Sequence, residues 1–431
     1  MRSAEHLTFV RYCTSSDMRI ELCYQCFGDP CKKMPVVLLI GGLNMQMYAW
    51  DEAFCEELVA QNFFVVRFDN RDIGLSTKIE QRGSIIPARL FLPQTLAFGE
   101  RLPYTIEDMA RDALALLDAL GITYAHVMGI SMGGMIAQTV ALLSPHRTLS
   151  LTSIMSTTNA RDLPDPQLWV KVLLLRKPPT NCTLEELLDF RVETLKRLLS
   201  GALPVDEEYL KLRYLISLRR SAYSAGLIRQ AAAIRRCPGR DEALRSLSCP
   251  ALVVHGVKDV LMPPAHGYRT ASMIPQAKLL TLESMGHYFH PAFFGTIVSD
   301  FVAVANAASE NGSLMARFGF EIPTCMPLLQ GTVMPDCAEQ MLERSFRGTT
   351  EGVPVQTTPI DTSAEATKNT SLAALDIMAV DDCDTSGMDA SGIMAEELRM
   401  NILGEQVAEA SILSMPEELK RKLASEAEDA A

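Results

Sequence analysis

Long apolar runs are missing from this chain: nowhere do about 18 apolar residues follow one another without a break, the minimum for a membrane-spanning helix. The amino terminus, MRSAEHLTFVRYC, lacks the apolar core of a signal peptide. Basic runs are equally scarce. The longest is Lys420-Arg421-Lys422, too little to track a phosphate backbone, so nucleic acid is excluded as a partner. A zinc-finger pattern is absent too. Cys23 and Cys26 have C-x-x-C spacing with Cys31 nearby, but no second ligand pair or histidine follows at the required distance. They read as thiols on a hairpin, and no metal or other cofactor is expected. The 11 cysteines are an odd number, which leaves at least one unpaired and fits a reducing compartment. A soluble, cytoplasmic protein is the expectation.

What is present points to a large α/β body with an appendage. At 431 residues and 48% hydrophobic, the chain exceeds what one α/β domain needs. Of the net charge of −12, residues 305–431 hold 22 acids against 8 bases, leaving the preceding body nearly neutral. Residues 306–431 therefore read as an acidic, low-complexity extension, partly disordered, with short helices at Asp336 to Phe346, Ile393 to Leu403 and Pro416 to Leu423 and a linker from Arg347 to Lys368. Such a tail suits a protein partner.

Before the tail, alternating or wholly apolar segments predict eight strands: Leu7 to Cys13, Met18 to Phe27, Met34 to Ile40, Asn62 to Asp69, Tyr124 to Ile130, Thr148 to Met155, Pro250 to His255 and Ala277 to Leu282. Helical patterns fall between them near Met47 to Ala60, Ile106 to Leu120, Gly134 to Leu143 and Pro264 to Met273, with a last helix at Pro291 to Ala305. The alternation implies a mostly parallel sheet, split into a first part (1–156) and a second (246–305) by leucine-spaced helices such as Leu184 to Leu199 and Glu207 to Leu218. These helices, residues 157–245, read as a cap over one end of the sheet. Leu168, Val170, Val172, Leu173, Leu174 and Leu175 suit an apolar lining or packing within the cap; Arg219, Arg220, Arg229, Arg235 and Arg236 suit a solvated face better than an anion site.

Gly129-Ile130-Ser131-Met132-Gly133 is the strongest chemical signal, because G-x-S-x-G lies between a buried strand and a helix. A serine there stands on a tight turn, its oxygen above the sheet and beside the first free N–H groups of the helix, which makes Ser131 the expected nucleophile. It needs a base and an acid to orient that base. Asp259 and His287 each follow a strand at the carboxyl edge of the sheet, where open sheets bind ligands. Of the other histidines, His126 and His255 fall within strands as core residues, while His6, His146 and His266 fall at turns or helix starts without a matching partner. His290 is the rival, three residues on, but reads as the opening of the last helix. Gly41-Gly42-Leu43 after the first parallel strand lets the Leu43 N–H approach an oxyanion at Ser131, with the Met132 N–H as second donor. The acids of Asp69 to Ser76 read as a structural loop neutralised by Arg71, rather than as a metal site.

From Met18 to Val304 the segments LLIGGLNMQMYAW, RFDNRDIGLS, YTIEDMARDALALLDALGI, GISMGGMIAQ, LVVHGVKD and ESMGHYFHP resemble the α/β-hydrolase fold-1 enzymes, and among them esterases of the aclacinomycin methylesterase type. The resemblance implies a serine hydrolase with Ser131, Asp259 and His287 as catalytic residues, Leu43 and Met132 as oxyanion donors, and Gly42, Gly129 and Gly133 as turn glycines. Gly41 stands where many relatives have the His of an HG pair, and the tail has no counterpart. A serine nucleophile excludes dehalogenase and epoxide hydrolase chemistry, which needs a carboxylate. Met132 in place of a tryptophan argues against a prolyl aminopeptidase. The expectation is hydrolysis of a small or medium apolar carboxylic ester through an acyl-enzyme. Thioesterase, acyltransferase and carbon–carbon hydrolase chemistries rank lower. The competing class is a non-catalytic scaffold acting through the acidic tail.

Overall fold

The computed structural model describes residues 2–310, apart from 14–17, 33, 80–84, 86–100, 177, 180–181, 200 and 202, and then residues 332–333. The hairpin β1 (His6–Tyr12) and β2 (Arg19–Phe27) leads into β3 (Val36–Ile40). A 3₁₀ turn (Met47–Ala49) and helix α1 (Glu52–Ala60) follow, because the Asp51 side chain caps the Ala53 N–H and starts the helix five residues later than the apolar pattern suggested. Next come β4 (Phe64–Phe68) and α2 (Ile106–Ala119), the latter opened by a Thr105/Asp108 capping box. β5 (Ala125–Ile130), α3 (Met132–Leu143) and β6 (Thr148–Ile154) complete the first half.

The alternation then pauses for α4 (Leu168–Leu175), α5 (Leu184–Leu199), α6 (Glu207–Arg220), α7 (Gly226–Arg236) and the short α8 (Asp241–Leu244). It resumes with β7 (Ala251–Gly256), α9 (Ala265–Met273), β8 (Ala277–Leu282) and α10 (Phe294–Glu310). β7 pairs directly with β6, so the intervening helices are an insertion between sheet neighbours.

The strands lie in the order β8-β7-β6-β5-β3-β4-β2-β1, parallel from β8 to β4 and antiparallel beyond. Eight strands are as expected, but a ninth is added: β9 (Thr332–Val333) pairs with His6 and Leu7 of β1. The sheet is thus not complete at the last body helix, since two residues of the tail cover part of its edge strand. The tail's three expected helices and its linker lie outside the described residues.

The pleat sorts each strand between two cores. Val36, Leu38 and Ile40 face a cluster with α2 and α3 residues such as Met109, Leu116, Met135 and Ile136. Val37 and Leu39 face Phe54, Leu58, Ile297 and Phe301 of α1 and α10. β3, buried on both faces, has no polar position and reads as one apolar run, whereas β6 is buried with Thr148, Ser150, Thr152 and Ser153 among its residues. Among the described residues no helix is long and apolar enough to cross a membrane.

Candidate active site

Ser131 joins β5 to α3 with φ 54° and ψ −117°, a backbone conformation that few non-glycine residues adopt. Its N–H donates to the Ile154 oxygen at 2.9 Å, and its own carbonyl accepts from Ser156 Oγ at 2.6 Å, so both sides of the turn are fixed to the end of β6. The neighbouring glycines are required by contact. A methyl group on Gly129 would lie 2.0 Å from the Gly133 oxygen, and one on Gly133 would lie 2.1 Å from the Ile40 oxygen. The G-x-S-x-G spacing is therefore the footprint of a helix start pressed onto two strand ends.

Asp259 lies in the loop after β7 and His287 in the loop after β8. His287 Nδ1 is 2.7 Å from Asp259 Oδ2, and Nε2 is 3.1 Å from Ser131 Oγ. Asp259 Oδ1 accepts from the Leu261 and Met262 N–H groups at 3.0 and 2.7 Å. With Nδ1–H donating to the carboxylate, Nε2 presents its lone pair to the serine hydroxyl. Asp259 and His287 are both buried. His290 is held elsewhere: it caps the turn Pro291–Phe293 by accepting from the Ala292 N–H, and its Nε2 donates to the Pro204 oxygen at 3.0 Å.

Two other histidines depart from the sequence reading. His6 is not at a turn but opens β1, buried and stacked on Tyr24 at 5.6 Å. His266, on the first turn of α9, does have partners, Thr157 Oγ1 at 2.8 Å and the Pro164 oxygen at 2.9 Å.

Gly42 comes within van der Waals reach of the elbow: its absent Cβ would lie 3.3 Å from Ser131 Cβ. The turn that carries Leu43 is pinned from both sides, Asn70 Nδ2 donating to the Gly41 oxygen at 3.0 Å and the Asn44 N–H donating to Gln230 Oε1 at 2.9 Å. Met132 is the first residue of α3, where a helical N–H has no acceptor within its own helix. Asn70 and Gln230 were not singled out from the sequence. Asn70 could have been, as the one amide in a loop of charges; Gln230 could not, since its partner lies 186 residues away.

A family model for the alpha/beta hydrolase fold matches residues 35–292, more than half of the chain. The chain belongs to this family. Among its relatives, a rhodomycin D methylesterase of Streptomyces sp. (strain C5) is 29% identical over 304 residues, covering 65% of this chain and 94% of that one. A rhodomycin D methylesterase of Streptomyces peucetius matches over the same shares at 29%. The 2-hydroxymuconate semialdehyde hydrolase of Pseudomonas sp. (strain CF600) is 28% identical over 51% of this chain and 78% of its own. A crystal structure of a bacterial membrane phospholipase A shares the fold at TM-score 0.53 and 20% identity, with 71% of this chain and 86% of that chain covered.

In this α/β hydrolase two of the five arginines expected on a solvated face, Arg220 and Arg229, are buried instead, while Arg219 is exposed and Arg235 and Arg236 are half-buried. Arg220, at the end of α6, is buried between Glu5 and Asp69, 2.6 Å from each, and also reaches Gln46 Oε1 at 2.9 Å. Arg229 of α7 is buried against Asp72 at 2.7 Å. The loop from Asp69 to Ser76 is structural, as expected, but its own arginine does not neutralise it: Arg71 pairs with Asp112 of α2 at 2.6 Å, and the loop acids are met by the insertion instead. α7 sits so close that a methyl on Gly226 would lie 2.1 Å from the Asp72 oxygen. α4 is less enclosed. Val170 and Leu173 are buried, whereas Val172 is 41% and Leu174 48% exposed, so only part of the expected lining faces inward. Among the described residues no three His, Cys, Asp or Glu side chains are grouped to hold a metal ion.

Proposed function

We propose that this α/β hydrolase is a serine esterase that cleaves a small or medium apolar carboxylic ester through an acyl-enzyme, with Ser131 as nucleophile, His287 as base and Asp259 as orienting acid. The observation that carries the reading is the unbroken line from Ser131 Oγ through both nitrogens of His287 to a carboxylate held by two backbone N–H groups. Ser131 Oγ attacks the carbonyl carbon as its proton passes to His287 Nε2. The negative oxygen is met by the N–H groups of Leu43 and Met132, and the buried carboxylate stabilises the imidazolium. The tetrahedral species collapses when His287 returns the proton to the leaving alkoxide, releasing the alcohol and leaving the acyl group on Ser131. Water, deprotonated by the same imidazole, then frees the acid and restores the serine.

The names of the two Streptomyces relatives put methyl esters first among the substrates to try. A fluorophosphonate probe tests the reading directly. Ser131 should be labelled in the folded protein, and Ser131→Ala should remove both labelling and turnover of a p-nitrophenyl or methyl ester, with losses on the order of a million-fold possible for such a nucleophile. Turnover within tenfold of the unaltered protein would move the nucleophile elsewhere, and a folded protein that neither labels nor hydrolyses would favour the scaffold role.

A further inference from the structure

The turn that presents Asp259 is gripped by a side chain outside the three residues just assigned. His255, near the end of β7, is buried, with its Nε2 2.8 Å from the Met262 carbonyl oxygen. A carbonyl only accepts, so Nε2 carries the proton and donates it there. The same nitrogen is 3.8 Å from Asp259 Oδ2, too far for a hydrogen bond. The ring cannot turn away, because the backbone of Gly267 on α9 closes on it: a methyl there would lie 2.5 Å from the ring Cγ. Nδ1 has no hydrogen-bond partner among the described residues, and burial lowers the imidazole's proton affinity against the raising effects of Asp259 and the Met262 carbonyl, with His287 and His266 also lowering it. A neutral ring is thus a donor to the turn and no counter-ion to the carboxylate.

Met262 is consequently held at both ends of its residue. Its N–H donates to Asp259 Oδ1 at 2.7 Å, and its carbonyl is taken by His255. With Oδ1 occupied by Leu261 and Met262, Oδ2 is the oxygen left to face His287. We infer that His255 is a positioning residue for the acid: its Nε2–H clamps the 259–262 turn through the Met262 carbonyl and so fixes which carboxylate oxygen meets His287. This rests on the assignment of Asp259 as the orienting acid.

A double-mutant cycle on the full chain tests it. His255→Gln places an amide donor near the position of Nε2, and His255→Met has the same reach without a donor. His255→Met should lower kcat about 10- to 100-fold with KM within twofold, the scale of effect expected when a catalytic group is displaced by around an ångström, and His255→Gln should restore kcat to within about threefold. In an Asp259→Asn background His255→Met should have almost no further effect, because the group it positions is already lost. The same fold loss in both backgrounds, a loss expressed mainly in KM, or equal losses in the Gln and Met variants overturns the proposal while leaving the acid assignment intact. Asp259→Asn within tenfold of the unaltered protein overturns that assignment and the proposal with it. Should His255→Met not fold, a loss beyond about tenfold in folded His255→Gln overturns the proposal alone.

Discussion

Asp259 is the residue at which the proposed chemistry is most exposed to a conservative change. Asn keeps the shape of the side chain and can still accept from Leu261 and Met262, but its amide neither holds the Nδ1–H tautomer of His287 nor stabilises the imidazolium. Asp259→Asn should therefore cut kcat by up to about 10⁴-fold with little change in KM, read from steady-state kinetics on a p-nitrophenyl ester. A loss under tenfold would place the acid elsewhere. His126 tests stability instead. It is buried in β5 with Nδ1 2.8 Å from Ser150 Oγ, between Phe63 and Phe301, and burial pushes its pKa down to about 3. The unfolded chain then binds the extra proton first, so this ring's contribution is complete above about pH 6.5 and is lost progressively as the pH falls toward 3. Urea unfolding at pH 7 and pH 4.5 should show a drop on the order of 2 kcal/mol that shrinks in His126→Asn. An undiminished drop would assign it to other groups. Ser131, Asp259 and His287 could be picked out because each sits in a loop directly after a strand, a pattern local to a few residues. Of the two amides that pin the Leu43 turn, Asn70 at least stands out in a loop of charges, but Gln230 could not be picked, since a hydrogen bond across 186 residues leaves no local trace.

Among the elements, α6 and α7 are fixed to the sheet by charge buried on both partners. Removing one side of such a pair strands the other in a low dielectric, which costs about 3–5 kcal/mol, whereas breaking an exposed pair costs less than about 1 kcal/mol. Arg220→Met should thus lower stability to urea by several kcal/mol, because Glu5 and Asp69 both lose their cation, while Lys196→Ala, which cuts an exposed pair with Glu207, should have almost no effect. Similar midpoints for the two variants would show that Arg220 is not a clamp. The strands and helices of the body were legible because a sheet buried on both faces writes itself as apolar runs and amphipathic helices as spaced ones. The docking of α6 and α7 was not. An arginine on a helix looks the same whether it meets water or Asp72, 157 residues earlier in the chain.

For the whole molecule, the tail is not simply an appendage. α10 runs to Glu310, and β9 returns at Thr332 to cover the start of β1, a strand whose Phe9 and Tyr12 are exposed. None of the proposed catalytic groups lies beyond Phe289, so truncation after residue 333 should leave kcat/KM within a few fold. Truncation after residue 310 should do the same for kcat/KM but uncover the edge of β1, and self-association, read by light scattering, should rise in that variant alone. Equal association of the two truncated forms would deny β9 that protective role. A two-residue strand carries no periodicity, which is why the sheet was expected to end with eight.

The sheet order also sets a timetable. Ser131 precedes His287 by 156 residues, and the whole insertion has to be made between β6 and its hydrogen-bonded neighbour β7. As the chain leaves the ribosome, the elbow serine emerges long before the loop that carries its base, with the acid arriving in between. On the proposed chemistry a nascent chain therefore has no activated hydroxyl to be acylated prematurely, and hydrolysis begins only once β8 has docked and synthesis of the body is finished.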